Sequence, residues 1–330
     1  MVLLGQQGGY IYTDQGGTLI NFLDSDEGLF FIRNKNLKVA YNIKNPSLFL
    51  PLPYSSALPD YPWVKFPYKS PSSTAKTFEG IFGISSMPYL DSSGGSHSIQ
   101  TQIENFIDNN LDTCLDFSSF RNQGYEIQVQ KSKTKVTIGS TDINVKSEIP
   151  LKAKNTGTKE TLEIKDFSAT LNIRLKDLYY FAKGLIKSDV EDVTFNIKDS
   201  HNNRDFFSVE VIKNAYQKDD LIVVKDDKSL IYGQPLEYIF ARQNRAPALY
   251  YIKQTNLEFP EDHMITKEDL LQDSEFKAED PDEDSITYDV KALLPNPSLP
   301  TKLDRPFIQF KLSASDGEYT DYQIITVQRQ

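Results

Sequence analysis

The stretch AEDPDEDSITYDV, residues 278–290, runs from a dense acidic turn into an alternating strand. Asp280, Asp282 and Asp284 fall at every second position, with Pro281 between the first two. In an extended strand their side chains share one face. In a turn started by Pro281 they converge instead, and converging carboxylates repel and raise one another's pKa. Two readings are open. One is a solvated acidic turn. The other is a cation site, because Ca²⁺ takes roughly six to eight oxygens from carboxylates and backbone carbonyls. On the second reading Asp316, in SASDGE (313–318), is the fourth ligand if the fold brings that turn beside the first, with Glu261 and Asp262 as further candidates.

The residues around this stretch decide the local fold. Residues 285–290 alternate, and so does the closing YQIITVQ (322–328). Apart from one short helical stretch, TKEDLLQ (266–272), the segment 242–330 carries only strand patterns, which suits an all-β sandwich of about seven strands. Upstream, RQNRAPALYYI (242–252) is polar, carries Pro247 and reads as a domain boundary.

Further towards the N-terminus the period changes. Ile99, Ile103, Phe106, Ile107, Leu111, Cys114 and Leu115 recur at helical spacing, with Ser96 or Ser98 as N-cap. Four period-two runs follow: GYEIQVQK, TKVTIGS, INVKSEIPLKAK and ETLEIKDFSATLNIRL. A second amphipathic helix over about 175–187 sets Leu175, Leu178, Tyr179, Ala182, Leu185 and Ile186 on one face. Helix, meander, helix predicts an α+β head with an antiparallel sheet. VTFNIKD, FFSVEVIK, DLIVVKDD and LEYIFAR, between 190 and 241, read as strands that either complete this head or make a small β domain.

Residues 1–95 are rich in aromatic residues, Pro, Gly and Ser. LFFIRNKNLKVAYNI (29–43) reads as two short strands around Asn34–Asn36. The proline-dense 45–71 holds Phe49, Tyr54, Tyr61, Trp63, Phe66 and Tyr68, and is expected to be extended. These aromatics either pack an arm over the head or present a surface to a sugar or protein. The expected division is an arm at 1–95, a head at 96–241 and a sandwich at 242–330.

The 36 basic and 46 acidic residues leave a net charge of −10, and no basic tract stands out, so nothing favours nucleic acid. The single cysteine, Cys114, excludes an internal disulfide framework and is expected in the core. His97, His201 and His263 lack metal-ligand spacing, and neither a GxSxG elbow nor a phosphate-binding glycine loop occurs. The expectation is a protein without catalytic activity. A pair of carboxylates meeting in space is the route left to a glycosidase.

The C-terminal segment resembles the cadherin-like and dystroglycan-type cadherin-like families of extracellular β-sandwich repeats. NRAPAL (244–249), FPED (259–262), AEDPDEDSITYDV (278–290) and FKLSASDGEYTDYQIITV (310–327) carry the likeness in order and spacing. It departs at Glu283, where the families have glycine, and at LDRP (303–306), where Pro306 stands in place of a liganding glutamate. GQQGGYI (5–11) and IENFIDNNLDTCLDF (103–117) resemble membrane-anchored surface proteins of some archaea. These resemblances imply an extracellular location and an apolar anchor helix upstream of the VLLG stretch. They also imply a structural or adhesive role, with a protein partner, self-association through sheet edges, or glycans. The alternative is a secreted glycan-active enzyme or a carbohydrate-binding protein.

Overall fold

The computed structural model describes residues 1–11, 31–45, 82–249, 255–293 and 298–330. The six aromatics of the expected arm lie outside the described residues. In chain order the elements are α1 (Val2–Gln6), β1 (Phe31–Asn34), β2 (Leu37–Lys44), β3 (Ile84–Ser85), α2 (Ile99–Cys114), α3 (Ser118–Asn122), β4 (Tyr125–Val129), β5 (Lys133–Ile138), β6 (Ile143–Asn155), β7 (Thr161–Leu171) and α4 (Leu175–Glu191). They continue as β8 (Phe207–Tyr216), β9 (Asp219–Ile231), β10 (Gln234–Arg242), β11 (Ala248–Leu249), β12 (Asn256–Phe259), α5 (Lys267–Asp273), β13 (Ala278–Glu279), β14 (Thr287–Ala292), β15 (Phe307–Ser315) and β16 (Thr320–Arg329). The fold is mostly strands, arranged in several sheets, with few helices.

Two compact units emerge. Residues 1–42, 86–185 and 198–242 form the first, and 43–85, 186–197 and 243–330 the second. The contacts therefore do not follow the expected three-way division. The β1–β2 hairpin, assigned to an arm by its sequence, is part of a sheet in the first unit.

That sheet runs β1-β2-β10-β9-β8. Ile32, Val39, Tyr41, Leu221, Val223, Ile239 and Ala241 make one core cluster on it. Their neighbours in sequence, Ile222, Val224, Tyr238 and Phe240, are buried as well. A sheet covered on both faces needs continuous apolar runs, which is why LIVV and YIFA do not alternate. VTFNIKD (193–199) forms no strand. Asp192 accepts a hydrogen bond from the Thr194 backbone N–H at 2.9 Å and turns the chain there.

In the first unit's other sheet, β4 and β5 pair with successive halves of β6 along one side, and β7 pairs along the other. The β6–β7 register shifts between Glu148 and Leu151, beside Pro150, which has no N–H to give the ladder. Ser98 caps α2 by accepting from the Thr101 N–H. Glu104 and Asp108 accept from the β5 amides of Val136 (2.9 Å) and Thr134 (3.1 Å), which lays α2 on the sheet. Burial does not extend along the whole apolar stripe of α2. Ile99 and Ile103 are buried, but Cys114 is exposed, contrary to the core position expected for it. The second predicted helix matches α4, with Leu175, Leu178, Tyr179, Ala182, Leu185 and Ile186 all buried.

At the chain start, Gly5 meets β10 so closely that a Cβ there would lie 2.1 Å from the Glu237 carbonyl oxygen. The GQQGGYI stretch is then fastened to α2. Gln102 donates to the Gly9 carbonyl at 3.1 Å and accepts from the Ile11 N–H at 2.9 Å.

The second unit holds a four-stranded sheet, β12-β16-β15-β14, and the β11–β13 pair. Residues from both, among them Leu249, Leu257, Ala278, Val290, Phe310 and Val327, share one core, as in a β-sandwich. Helix α5 begins with a capping box between Thr266 and Asp269.

Candidate functional site

The acidic turn of 278–290 lies in the second unit, and its position depends on Arg245. Arg245 is fully buried, with 0% exposure. Its backbone N–H donates to Asp282 Oδ2 at 2.8 Å. Its Nε donates to both carboxylate oxygens, at 3.1 and 3.2 Å, and its Nη2 donates to Oδ1 at 2.8 Å. Nη2 also reaches the Pro281 carbonyl at 2.8 Å and stands 2.9 Å from Asp189 Oδ2. Nη1 donates to the carbonyls of Phe82 and Asp189, both at 3.1 Å. Every guanidinium nitrogen is thus engaged, as a cation removed from water requires.

Local chain geometry makes room for this cluster. A Cβ on Gly83 would come 2.8 Å from Val190 Cγ1 and 3.3 Å from Arg245 Nη1, so glycine lets the Phe82 backbone approach the guanidinium. The Phe82 N–H donates to the Val190 carbonyl at 2.7 Å. Asp189 follows Leu185 and Ile186 at helical spacing on the buried face of α4, which carries its carboxylate inward.

Asp280 is buried, and its Oδ1 accepts from the backbone N–H of Asp282 (2.8 Å) and of Asp284 (3.0 Å). Its Oδ2 is also buried and has no hydrogen-bond partner among the described residues. Burial, then the neighbouring charges of Asp282 and Asp284, push the Asp280 carboxyl up to about 7, against the pull of those two amides. Glu283 takes φ 61°, the left-handed conformation that glycine favours.

Asp316 is held in its own turn. Its Oδ1 accepts from the Glu318 and Tyr319 amides, both at 2.7 Å, beside Gly317 at φ 97°. Asn244 Nδ2 donates to Asp316 Oδ2 at 2.8 Å and to Glu318 Oε2 at 3.1 Å. Two adjacent residues, Asn244 and Arg245, therefore reach the two acidic turns that the sequence pairs as a cation site. Asp282 meets Arg245 rather than a set of carboxylates. Among the described residues no three His, Cys, Asp or Glu side chains converge as metal ligands would. Asp280 Oδ1, Asp282 and Asp316 already accept from protein donors, while Asp280 Oδ2 does not among the described residues. Arg245 supplies a positive charge to Asp282 alone among the alternating acids for which a contact is described. Glu261 contacts Arg329, and Asp262 stands 3.7 Å from Lys302.

The sequence reading found the two acidic turns and missed Arg245, Asn244 and Asp189. Asp189 lies just beyond the helix expected over about 175–187, and its spacing from Leu185 and Ile186 was the available signal.

No family model and no curated protein matches the chain, so the likeness of GQQGGYI to archaeal surface proteins gains nothing from them. Among solved structures, a crystal structure of Drosophila N-cadherin EC1-3 is similar at 12% identity and a TM-score of 0.20, covering 63% of this chain and 89% of that one. At that score the likeness carries no argument.

Proposed function

We propose that this chain is a non-catalytic structural or adhesive protein of the cell surface, with Arg245 as the latch of its second unit. The observation that carries this reading is the buried guanidinium, which ties Phe82, Asp189, Pro281 and Asp282 to the start of the 243–330 stretch. Such a cluster fastens separate segments of the second unit to one residue, which suits a structural module. No helix among the described residues is long and apolar enough to cross a membrane. The test is surface labelling of intact native cells with a membrane-impermeant biotin reagent, beside protease shaving. Labelling and cleavage on intact cells are expected. Full protection until the cells are lysed would overturn the reading.

A second reading, a glycan-active hydrolase, draws on one observation, a near-neutral Asp280 carboxyl next to Asp282. A carboxyl raised towards neutrality is a pattern of acid–base sites. Both oxygens of Asp282 are held by Arg245, which weighs against that use.

A further inference from the structure

A cleft of about 240 Å³ opens in the first unit where β5, α2 and the start of α4 meet. Asp91, Gln100, Lys135, Thr137, Lys176 and Tyr180 give it a mainly polar lining. Lys135 and Thr137 share the exposed side of β5, because Val136 between them turns inward. The β5–β6 register sets Lys135 directly opposite Lys146, a like-charge pair that costs stability on its own. Lys135, Lys146 and Lys176 form no ion pair among the described residues. Asp91 accepts from the Ser93 hydroxyl and, at 3.0 Å, from its N–H, both through Oδ1. These two bonds hold its carboxyl below the usual range, so it is ionised. Glu104, one turn on from Gln100, is already met by the Gln100 amide and the Val136 N–H. Tyr180 is 52% exposed and rests edge-on against buried Tyr179, with ring centroids 5.3 Å apart. Burial, then Tyr180, Asp91 and Tyr89, pushes Tyr179 up to about 12, which places those three groups around one fixed ring.

We propose that this cleft binds one uronic acid unit of an acidic polysaccharide. The sugar carboxylate takes charge-assisted hydrogen bonds from Lys135 and Lys176. Its C–H face lies on Tyr180, whose ring carries a negative face. Its hydroxyls donate to Asp91 and bond to Gln100 and Thr137. Charge and chemistry together select this ligand. Two lysines against one aspartate leave the lining one positive charge in surplus, which a monoanion answers. A bare anion such as phosphate meets the lysines, but it sets more negative charge against Asp91 and leaves Tyr180 uncovered. A neutral sugar covers Tyr180 and leaves the lysines unanswered. An amino acid sets its ammonium on Asp91, but it brings no net charge to the surplus. The volume is below the roughly 300–1,000 Å³ of pockets for drug-sized ligands, so one ring enters and the rest of the polymer stays in solvent.

This deepens the adhesive reading by naming a ligand class, and rests on it for the setting in which the polymer is met. The two fail separately, because binding in solution does not depend on where the cell keeps the protein. Calorimetric titration of the full chain with tri-galacturonic acid at low salt is expected to give a Kd on the order of 10⁻³ M. The matching neutral trisaccharide of galactose, which lacks only the carboxylates, is expected to bind at least tenfold more weakly, ~1.4 kcal/mol. Salt at about 0.5 M is expected to weaken the acidic sugar, because exposed ion pairs are screened. Lys135→Ala, Lys176→Ala and Tyr180→Ala are each expected to weaken it at least tenfold, ~1.4 kcal/mol, while Lys302→Ala in the second unit leaves it unchanged. Should Lys176→Ala fail to fold, Lys176→Arg, which keeps the charge and is expected to keep the binding, carries the comparison with Lys135→Ala. No heat at about 10 mM trisaccharide, roughly ten times the expected Kd, would overturn the proposal. So would equal affinity for the neutral sugar, tighter binding of inorganic phosphate or glycine, or binding that survives the lysine and tyrosine substitutions.

Discussion

Arg245 and Asp282 meet twice: the guanidinium grips the carboxylate through Nε and Nη2, and the Arg245 backbone N–H binds the same carboxylate at 2.8 Å. The pair is buried, with side-chain exposures of 0% and 2%. Its net worth against an apolar pair is small, but breaking it strands a charge. Arg245→Met is therefore expected to cost about 3–5 kcal/mol in urea unfolding. Arg245→Met/Asp282→Asn should lose less than the sum of its single variants, by at least ~1 kcal/mol. An Arg245→Met loss below ~1 kcal/mol would remove the latch.

Glu283 gives a test of opposite sign. A non-glycine residue in the left-handed region costs roughly 1–2 kcal/mol, and glycine returns part of that as chain entropy. Glu283→Gly is expected to stabilise the protein by up to ~1 kcal/mol, and it also removes a negative charge beside Asp282 and Asp284. A lower melting temperature would mean that Glu283 makes contacts worth more than the strain.

Much of the first unit was legible because its elements carry clean periods. β4 to β7 follow the four alternating runs, and α2 and α4 the two amphipathic stripes. VTFNIKD misled because its alternation is local, while Asp192 supplies a turn-forming hydrogen bond that periodicity ignores. Cys114 misled because its stripe is apolar, yet at that end of α2 Leu111 and Leu115 are only partly covered and Cys114 itself stays exposed. In the second unit the acidic turns were visible as motifs. Their counter-charge was not, because Arg245 stands 37 residues away in sequence from Asp282. Asx turns are local and leave a signature; a buried ion pair is a product of the fold.

Asp280 makes stability depend on pH. Its carboxyl sits at about 7 in the folded chain, against ~3.9 when unfolded. Between those values the folded state holds more proton than the unfolded one. The contribution is therefore full below about pH 4 and lost as pH rises to about 7, at up to ~1.4 kcal/mol per unit. Asp280→Asn keeps an oxygen for the Asp282 and Asp284 amides and cannot ionise. Its stability relative to the natural chain is expected to rise from pH 4.5 to pH 7 and then level off. Denaturation curves that keep a constant offset across that range would show that Asp280 is ionised throughout.

The same cluster sets the expectation for calcium. In the natural chain a cation must displace Arg245 from Asp282 and Asn244 from Asp316, losing hydrogen bonds in both places. At 10 mM CaCl₂ a site with a Kd of ~10⁻⁴–10⁻³ M would add roughly 1.4–2.7 kcal/mol, readily seen in a melt. The natural chain is expected to show no such gain. Arg245→Met leaves the acids of the turn without their guanidinium, so its melting temperature is expected to rise with CaCl₂, and to do so less when Asp282→Asn is added. A calcium-dependent rise in the natural chain, abolished by Asp282→Asn, would instead make the turn a cation site in its own right, with Arg245 as the group that yields.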